Sequence, residues 1–212
     1  MAKNYVDLTI MLVSHDAFRR DIRRLQDAAA TKALDQPDSR KRVLTGWEIF
    51  KAQLLIHHEG EDRDLWPRMA KGLADSPDSL EMLREVEAEH AEIDPLLAGV
   101  EAAMADPLVD NDKLAQAVAA LADSLDHHLV HEERDALPAV QVALTEKEWK
   151  GFIADQRSNL GFKGASEFFP WVLDDATPQN VEKVTSIMPS PLRLLMKTMW
   201  TPAYAARHSW SN

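Results

Sequence analysis

The chain has 212 residues, a net charge of −11, seven Gly and no Cys. Without Cys there can be no disulfide, thiolate-held zinc, iron–sulfur cluster or Cys nucleophile, and the acidic balance argues against a nucleic-acid partner. The length suits one domain with additions, and the scarcity of Gly favours an all-α chain over a turn-rich β protein.

Residues from about 5 to 34 read as a first helix, with Leu8, Leu12, His15, Phe18, Ile22 and Leu25 on one face and a break at Gln36-Pro37-Asp38-Ser39. A second helix spans about 40 to 71 and ends at Asp75-Ser76-Pro77-Asp78. The third starts near Ser79, carries Leu83, Val86, His90, Ile93, Leu97, Val100 and Met104 as its stripe, and ends at Asp106-Pro107. Pro95 should kink it, because proline removes a backbone donor and crowds the carbonyl four residues back. The fourth spans about 111 to 143. Short connections make sequential helices antiparallel neighbours, which predicts an up-down-up-down four-helix bundle over residues 5–143.

The second and fourth helices carry a repeat. His57-His58-Glu59-Gly60-Glu61-Asp62-Arg63-Asp64-Leu65-Trp66-Pro67 is echoed by His128-Leu129-Val130-His131-Glu132-Glu133-Arg134-Asp135-Ala136-Leu137-Pro138. Each copy has His, Glu four residues on, and Pro ten residues after the His, where a bend or a loosened turn is expected. Residues four apart share a helix face. Phe50, Leu54, His57 and Glu61, and in parallel Leu121, Leu125, His128 and Glu132, form stripes whose last two members change from apolar to metal-binding types. Buried polar groups need partners, and matched changes in two copies point to a shared ion. With His15 and His90, the chain reads as a duplicated hairpin: a lone His, then His-x3-Glu, twice. Four imidazoles and two carboxylates are too many for one tetrahedral zinc and too nitrogen-rich for magnesium or calcium. Two iron ions, each with two His and sharing two bridging Glu, fit the count, with manganese or zinc at the same ligands left open. Ferritin-like sites need two Glu-x2-His motifs, and Glu87-x2-His90 stands alone.

This pattern resembles the hemerythrin-like family of HHE cation-binding domains over roughly residues 5 to 143. The resemblance implies a four-helix bundle around a non-haem di-iron centre, bridged by oxo or hydroxo, with His15, His57, Glu61, His90, His128 and Glu132 as ligands and the two Glu bridging. Oxygen-carrying members have a second His four residues after the third-helix His and an Asp five residues after the fourth-helix His. Here those places hold Asp94 and Glu133, which fits the more symmetric variant with fewer His and shifts the expectation from reversible carriage to sensing, storage or redox turnover. His58, whose counterpart is Leu129, and more weakly Asp94 and Tyr5, are further candidates for the metal shell. Glu59, His127 and His131 are expected to face solvent or a neighbouring helix.

Residues 144–212 read as a helical extension packed on the bundle. Thr145 followed by Glu148 marks a helix start, with Trp149, Phe152 and Ile153 facing inward. Gly161 and Gly164 loosen the next segment, and a last helix after Met188-Pro189-Ser190-Pro191 places Leu192, Leu195, Met196 and Met199 on one face. From Ser186 onward there are three basic residues, Arg193, Lys197 and Arg207, and no acidic one. That tail could touch a membrane surface, but packing against the acidic body is the favoured reading. No leader-like segment and no run of ~20 apolar residues is found, so a cytoplasmic protein is expected. The leading functional expectation is a di-iron protein that binds or senses dioxygen, nitric oxide or peroxide. The alternative is an enzyme decomposing peroxide or reducing nitric oxide at the same centre.

Overall fold

The computed structural model describes residues 6–105, 110–207 and 209–210. Four rods make the bundle. They are α1 (Thr9–Ala30); α2 (Pro37–Gly60), continued through a π-helical turn (Glu61–Leu65) into α3 (Trp66–Gly72); α4 (Pro77–Ala105); and α5 (Asn111–His131), continued through a second π turn (Glu132–Ala136) into α6 (Leu137–Ala143). There is no strand among the described residues. Helix α1 lies against α2 and α5, α4 against α5, and α3 against α6. This is the expected all-α bundle.

The rods begin where the backbone is released from other duties. Both backbone groups of Val6 are engaged by the Gln141 side chain, at 2.9 and 3.0 Å, and the Asp7 carboxylate accepts the Thr9 N–H at 2.9 Å. Helix α1 therefore opens at Thr9 rather than near residue 5. It closes at Ala30, ahead of Lys32 in the left-handed region (φ 55°) and a 3-10 turn, Ala33–Asp35. Pro37 starts α2 from its first turn, where a missing N–H costs nothing. Asp110 caps α5 by accepting the Lys113 N–H at 3.2 Å. Helix α4 runs as one helix through Pro95. Tyr5 and the break at Asp106-Pro107 lie outside the described residues.

Each π turn lies just ahead of a proline. The residue before Pro67 donates its N–H to the carbonyl five residues back, Trp66 to Glu61, and Leu137 before Pro138 donates likewise to Glu132. Proline has no N–H, and its ring collides with the carbonyl four residues back; widening the turn takes that carbonyl aside. A third π turn, Met196–Trp200, precedes Pro202, with Thr201 bonding Met196 in the same way.

The extension comprises α7 (Glu146–Leu173), α8 (Pro178–Ser186), α9 (Ser190–Leu195), the third π turn and α10 (Thr201–Ala205). Thr145 and Glu148 form a reciprocal capping box. Trp149 and Phe152 pack with Leu65, Trp66, Met69 and Leu137 at one end of the bundle. Helix α7 kinks at Gly161, whose φ of +60° suits glycine. Beyond the kink, Trp171 and Val172 enter the main core beside Phe18, Trp47, Phe50 and Leu54. The Trp171 indole N–H donates to the buried Asp21 carboxylate at 2.8 Å, and Arg20 and Arg24 bond its other oxygen at 2.8 and 3.2 Å. A buried carboxylate is tolerable when so fully partnered. Met188, Met196 and Trp200 form a smaller core with Leu192 and Leu195, whereas Met199 is exposed. The straight-helix expectation for Met199 fails because the π turn shifts the register after Leu195 and brings Trp200 inward instead. Among the described residues no helix is long and apolar enough to cross a membrane.

Candidate metal centre

The buried stripes of the second and fourth rods lead directly to the site. Phe50, Leu54, Leu121 and Leu125 are buried, and one turn further along come the His and Glu of each repeat. His15 reaches in from α1 and His90 from α4. The six residues singled out from the sequence are thereby brought together at one level of the bundle.

They fall into two adjoining groups. In the first, donor atoms of His15, His57, Glu61 and Glu132 lie within 4.8 Å of one another. His15 Nε2 is 3.2 Å from His57 Nε2 and 3.3 Å from Glu132 Oε2, and His57 Nε2 is 3.1 Å from Glu61 Oε1. In the second, donor atoms of His58, His90 and His128 meet the same limit. The carboxylates connect the groups. Glu61 turns Oε1 toward His57 and Oε2 toward His90 Nε2, 3.7 Å away. Glu132 Oε2 stands between His15 and His128 Nε2, the latter 3.9 Å away. Each carboxylate thus touches both groups, the placement a bridging ligand needs.

His58 is a full member of the second group, its ring stacked on His90 with centroids 3.9 Å apart. The repeat alone gave it weak support because its counterpart, Leu129, is apolar. Burial in a helix whose preceding residue also faces inward was the missing signal. Asp94 is exposed and Glu59 lies at the surface, with Arg63 bonded to it at 2.9 Å. Asp62, Glu59 and Asp94 line, together with His58 and His90, a cavity of about 500 Å³ that opens on the second group.

Three carboxylates escaped the sequence reading. His15 Nδ1 donates to Glu133 at 2.9 Å, His90 Nδ1 to Asp62 at 2.8 Å, and His128 Nδ1 to Glu89 at 3.0 Å. An ionised carboxylate can only accept, so each bond places a proton on Nδ1 and turns Nε2 toward the cage, as second partners do in metal sites. Two of the three obey the repeat. Asp62 follows Glu61 and Glu133 follows Glu132, yet each holds the lone His of the other hairpin, so the two halves clasp each other. Arg19 anchors Glu133 at 2.6 and 3.2 Å.

Crowding shifts the protonation equilibria. Burial works against a charged His15, but the Glu132 carboxylate and then Glu133 outweigh it and raise its pKa to about 9. Burial, reinforced by the His15 charge, lowers His57 to about 3. Burial and the neighbouring His90 hold His58 well below the usual imidazole range. Burial also raises the Glu61 carboxyl well above its ordinary value, with Glu132 adding to it. Burial works against a charged Glu132, but the adjacent His15 charge outweighs it and lowers the carboxyl to about 2.

The fit to cations is tested by what remains unbonded. Nε2 of His58, His90 and His128 and all four carboxylate oxygens of Glu61 and Glu132 are buried without a hydrogen-bond partner. Such atoms are costly, and here they share one small volume and are all of metal-binding type. Imidazole nitrogen with carboxylate oxygen suits first-row transition ions.

No curated protein and no solved structure matches the chain. The Hemerythrin HHE cation-binding domain does match, over residues 6–140. With most of its length covered by that match and its histidines and glutamates clustered as a cation site requires, the chain belongs to the hemerythrin HHE cation-binding domain family.

Proposed function

We propose that this protein holds two iron ions in its bundle and uses them to bind or sense a small oxidant: dioxygen, nitric oxide or peroxide. His15 and His57 hold one ion, His90 and His128 the other, with Glu61 and Glu132 spanning both. His58 completes the second group and makes that end the richer in nitrogen. The observation that carries the reading is the set of seven buried, unbonded donor atoms converging on one volume. A redox-active pair of ions with positions left unfilled by protein supplies electron exchange and a binding place for a diatomic or peroxide ligand.

The chain's residues supply the rest. Asp62, Glu89 and Glu133 orient three imidazoles, and Phe18, 5.2 Å from the His57 ring, closes the apolar side. The cavity beside His58 and His90 is the route in. An acidic, Cys-free composition is in keeping with a cytoplasmic setting. Binding is favoured over turnover because His58, the group best suited to carry protons, is stacked into the cluster.

Protein purified with ferrous salt should contain about two irons per chain and show near-ultraviolet oxo-bridge absorption, and His128→Ala should lose most of both. Colourless wild-type protein without iron, or full occupancy in the variant, would overturn the assignment. Steady-state assays with peroxide and nitric oxide on the loaded protein decide between binding and enzymatic use.

A further inference from the structure

We infer that the outer surface of α4 and α5 carries a separate site for a late first-row divalent cation, built from Glu89, His127 and His131. His127 and His131 stand four residues apart and face the same way. Helix α4 supplies the third donor. Glu89 Oε1 is 2.7 Å from His131 Nδ1 and 3.5 Å from His127 Nε2, and donor atoms of the three residues lie within 4.8 Å of one another. Glu89 and His131 are largely buried, so two of the three donors are held in place, and the His127 side chain, 75% exposed, leaves the mouth open to solvent. Asp135 stands one turn beyond, 3.5 Å from His131 Nε2.

Two imidazoles and one carboxylate with an open position form a donor set for zinc, cobalt, nickel or copper, and too nitrogen-rich a one for calcium or magnesium. The site belongs to one half of the repeat. At the matching places the first hairpin has Ser14, Ile56 and Gly60. There Gln156 of α7 sits so close that a side-chain carbon on Gly60 would come within 2.5 Å of it, and Gln156 donates to Asp64 at 2.8 Å. One flank of the bundle is thus sealed by the extension, and the equivalent flank presents two histidines. The other oxygen of Glu89 holds His128, so a cation seated outside stands one carboxylate away from the inner cluster.

The test is zinc uptake by the iron-loaded 212-residue chain, with zinc and iron both counted after equilibrium dialysis. Wild type should take up about one zinc per chain beyond its iron, and His127→Ala and His131→Ala should each abolish that uptake at the same free zinc while keeping their iron. His127 is mostly exposed, so its replacement leaves the fold intact. Equal zinc uptake by wild type and His127→Ala, or none by wild type, would overturn the site. Should the chain hold no iron at all, the di-iron reading falls alone: zinc would fill the inner donors in both proteins, and the outer site would still appear as a deficit of about one ion in the variant.

Discussion

His15 and Glu132 form a charge pair at the heart of the cage, and this pair has a thermodynamic signature. In the metal-free protein at pH 7, His15 is protonated, because its pKa is about 9, whereas burial keeps His57, His58 and His128 neutral; burial and Glu132 raise the Glu61 carboxyl, so it holds its proton to higher pH than an ordinary glutamate. Cations in the cage must displace the His15 proton, so loading at pH 7 should release at least about one proton per chain, measurable by calorimetry in buffers of different ionisation enthalpy. The sign for stability follows from the same shifts. His15 binds its proton more tightly folded than unfolded, so its contribution is complete below about pH 6.5 and is lost as pH rises through about 9. The raised Glu61 acts in the same direction. The melting temperature of metal-free protein should therefore fall from pH 6.5 to 9, and iron loading should flatten that dependence. The crossed holders give a second residue-scale expectation. Asp62→Asn and Glu133→Gln remove the negative charge from matching acceptors, and each should weaken metal binding roughly 10- to 100-fold in competition with a chelator, without unfolding the chain.

At the scale of the element, the π turns decide what the sequence could disclose. Four-residue spacing of His and Glu is legible because it survives on any α-helix face. Asp62 and Glu133 are not legible, because on a straight helix the residue after an inward Glu points about 100° away; the π turn that starts at each Glu changes that register. Met199 was misplaced for the same reason. The third π turn, Met196–Trp200, carries no His, Asp or Glu, so proline, and not a His/Glu ion site, is common to all three, though Pro95 and Pro170 are carried inside α4 and α7 without one. Replacing Pro138 by Ala should let α5 and α6 merge into a regular helix. The expected outcome is a metal-free protein more stable by about 1 kcal/mol or more, with iron affinity reduced because Glu132 is re-aimed. Denaturant unfolding and iron titration of the same variant check both halves of that statement.

For the whole molecule, the four-rod plan could be read from four apolar stripes and short breaks, whereas the reach of the extension could not. Nothing in Phe168-Phe169-Pro170-Trp171 says which surface it seeks; the answer depends on Asp21, 150 residues away, accepting the Trp171 indole. Trp171 has no exposed surface and touches Phe18, which in turn packs on His57. Trp171→Ala should cost about 3–5 kcal/mol, measured by denaturant unfolding, since it opens a large void and strips a buried carboxylate of a donor. A chain ended after Ala143 should fare worse, although the family match stops at residue 140.

The exchange of Asp62 and Glu133 across the hairpins has a bearing on origins. Each helical pair brings a lone histidine, a His-x3-Glu arm and an acid that fastens the opposite pair's histidine, so two identical half-length chains related by a dyad would assemble every one of those parts. Linking such halves into a single polypeptide would free them to diverge. The differences now seen, His58 against Leu129 and Gly60 against His131, are of a kind that only a fused chain could acquire, giving one donor group one histidine more than the other and one flank a covering that its twin lacks.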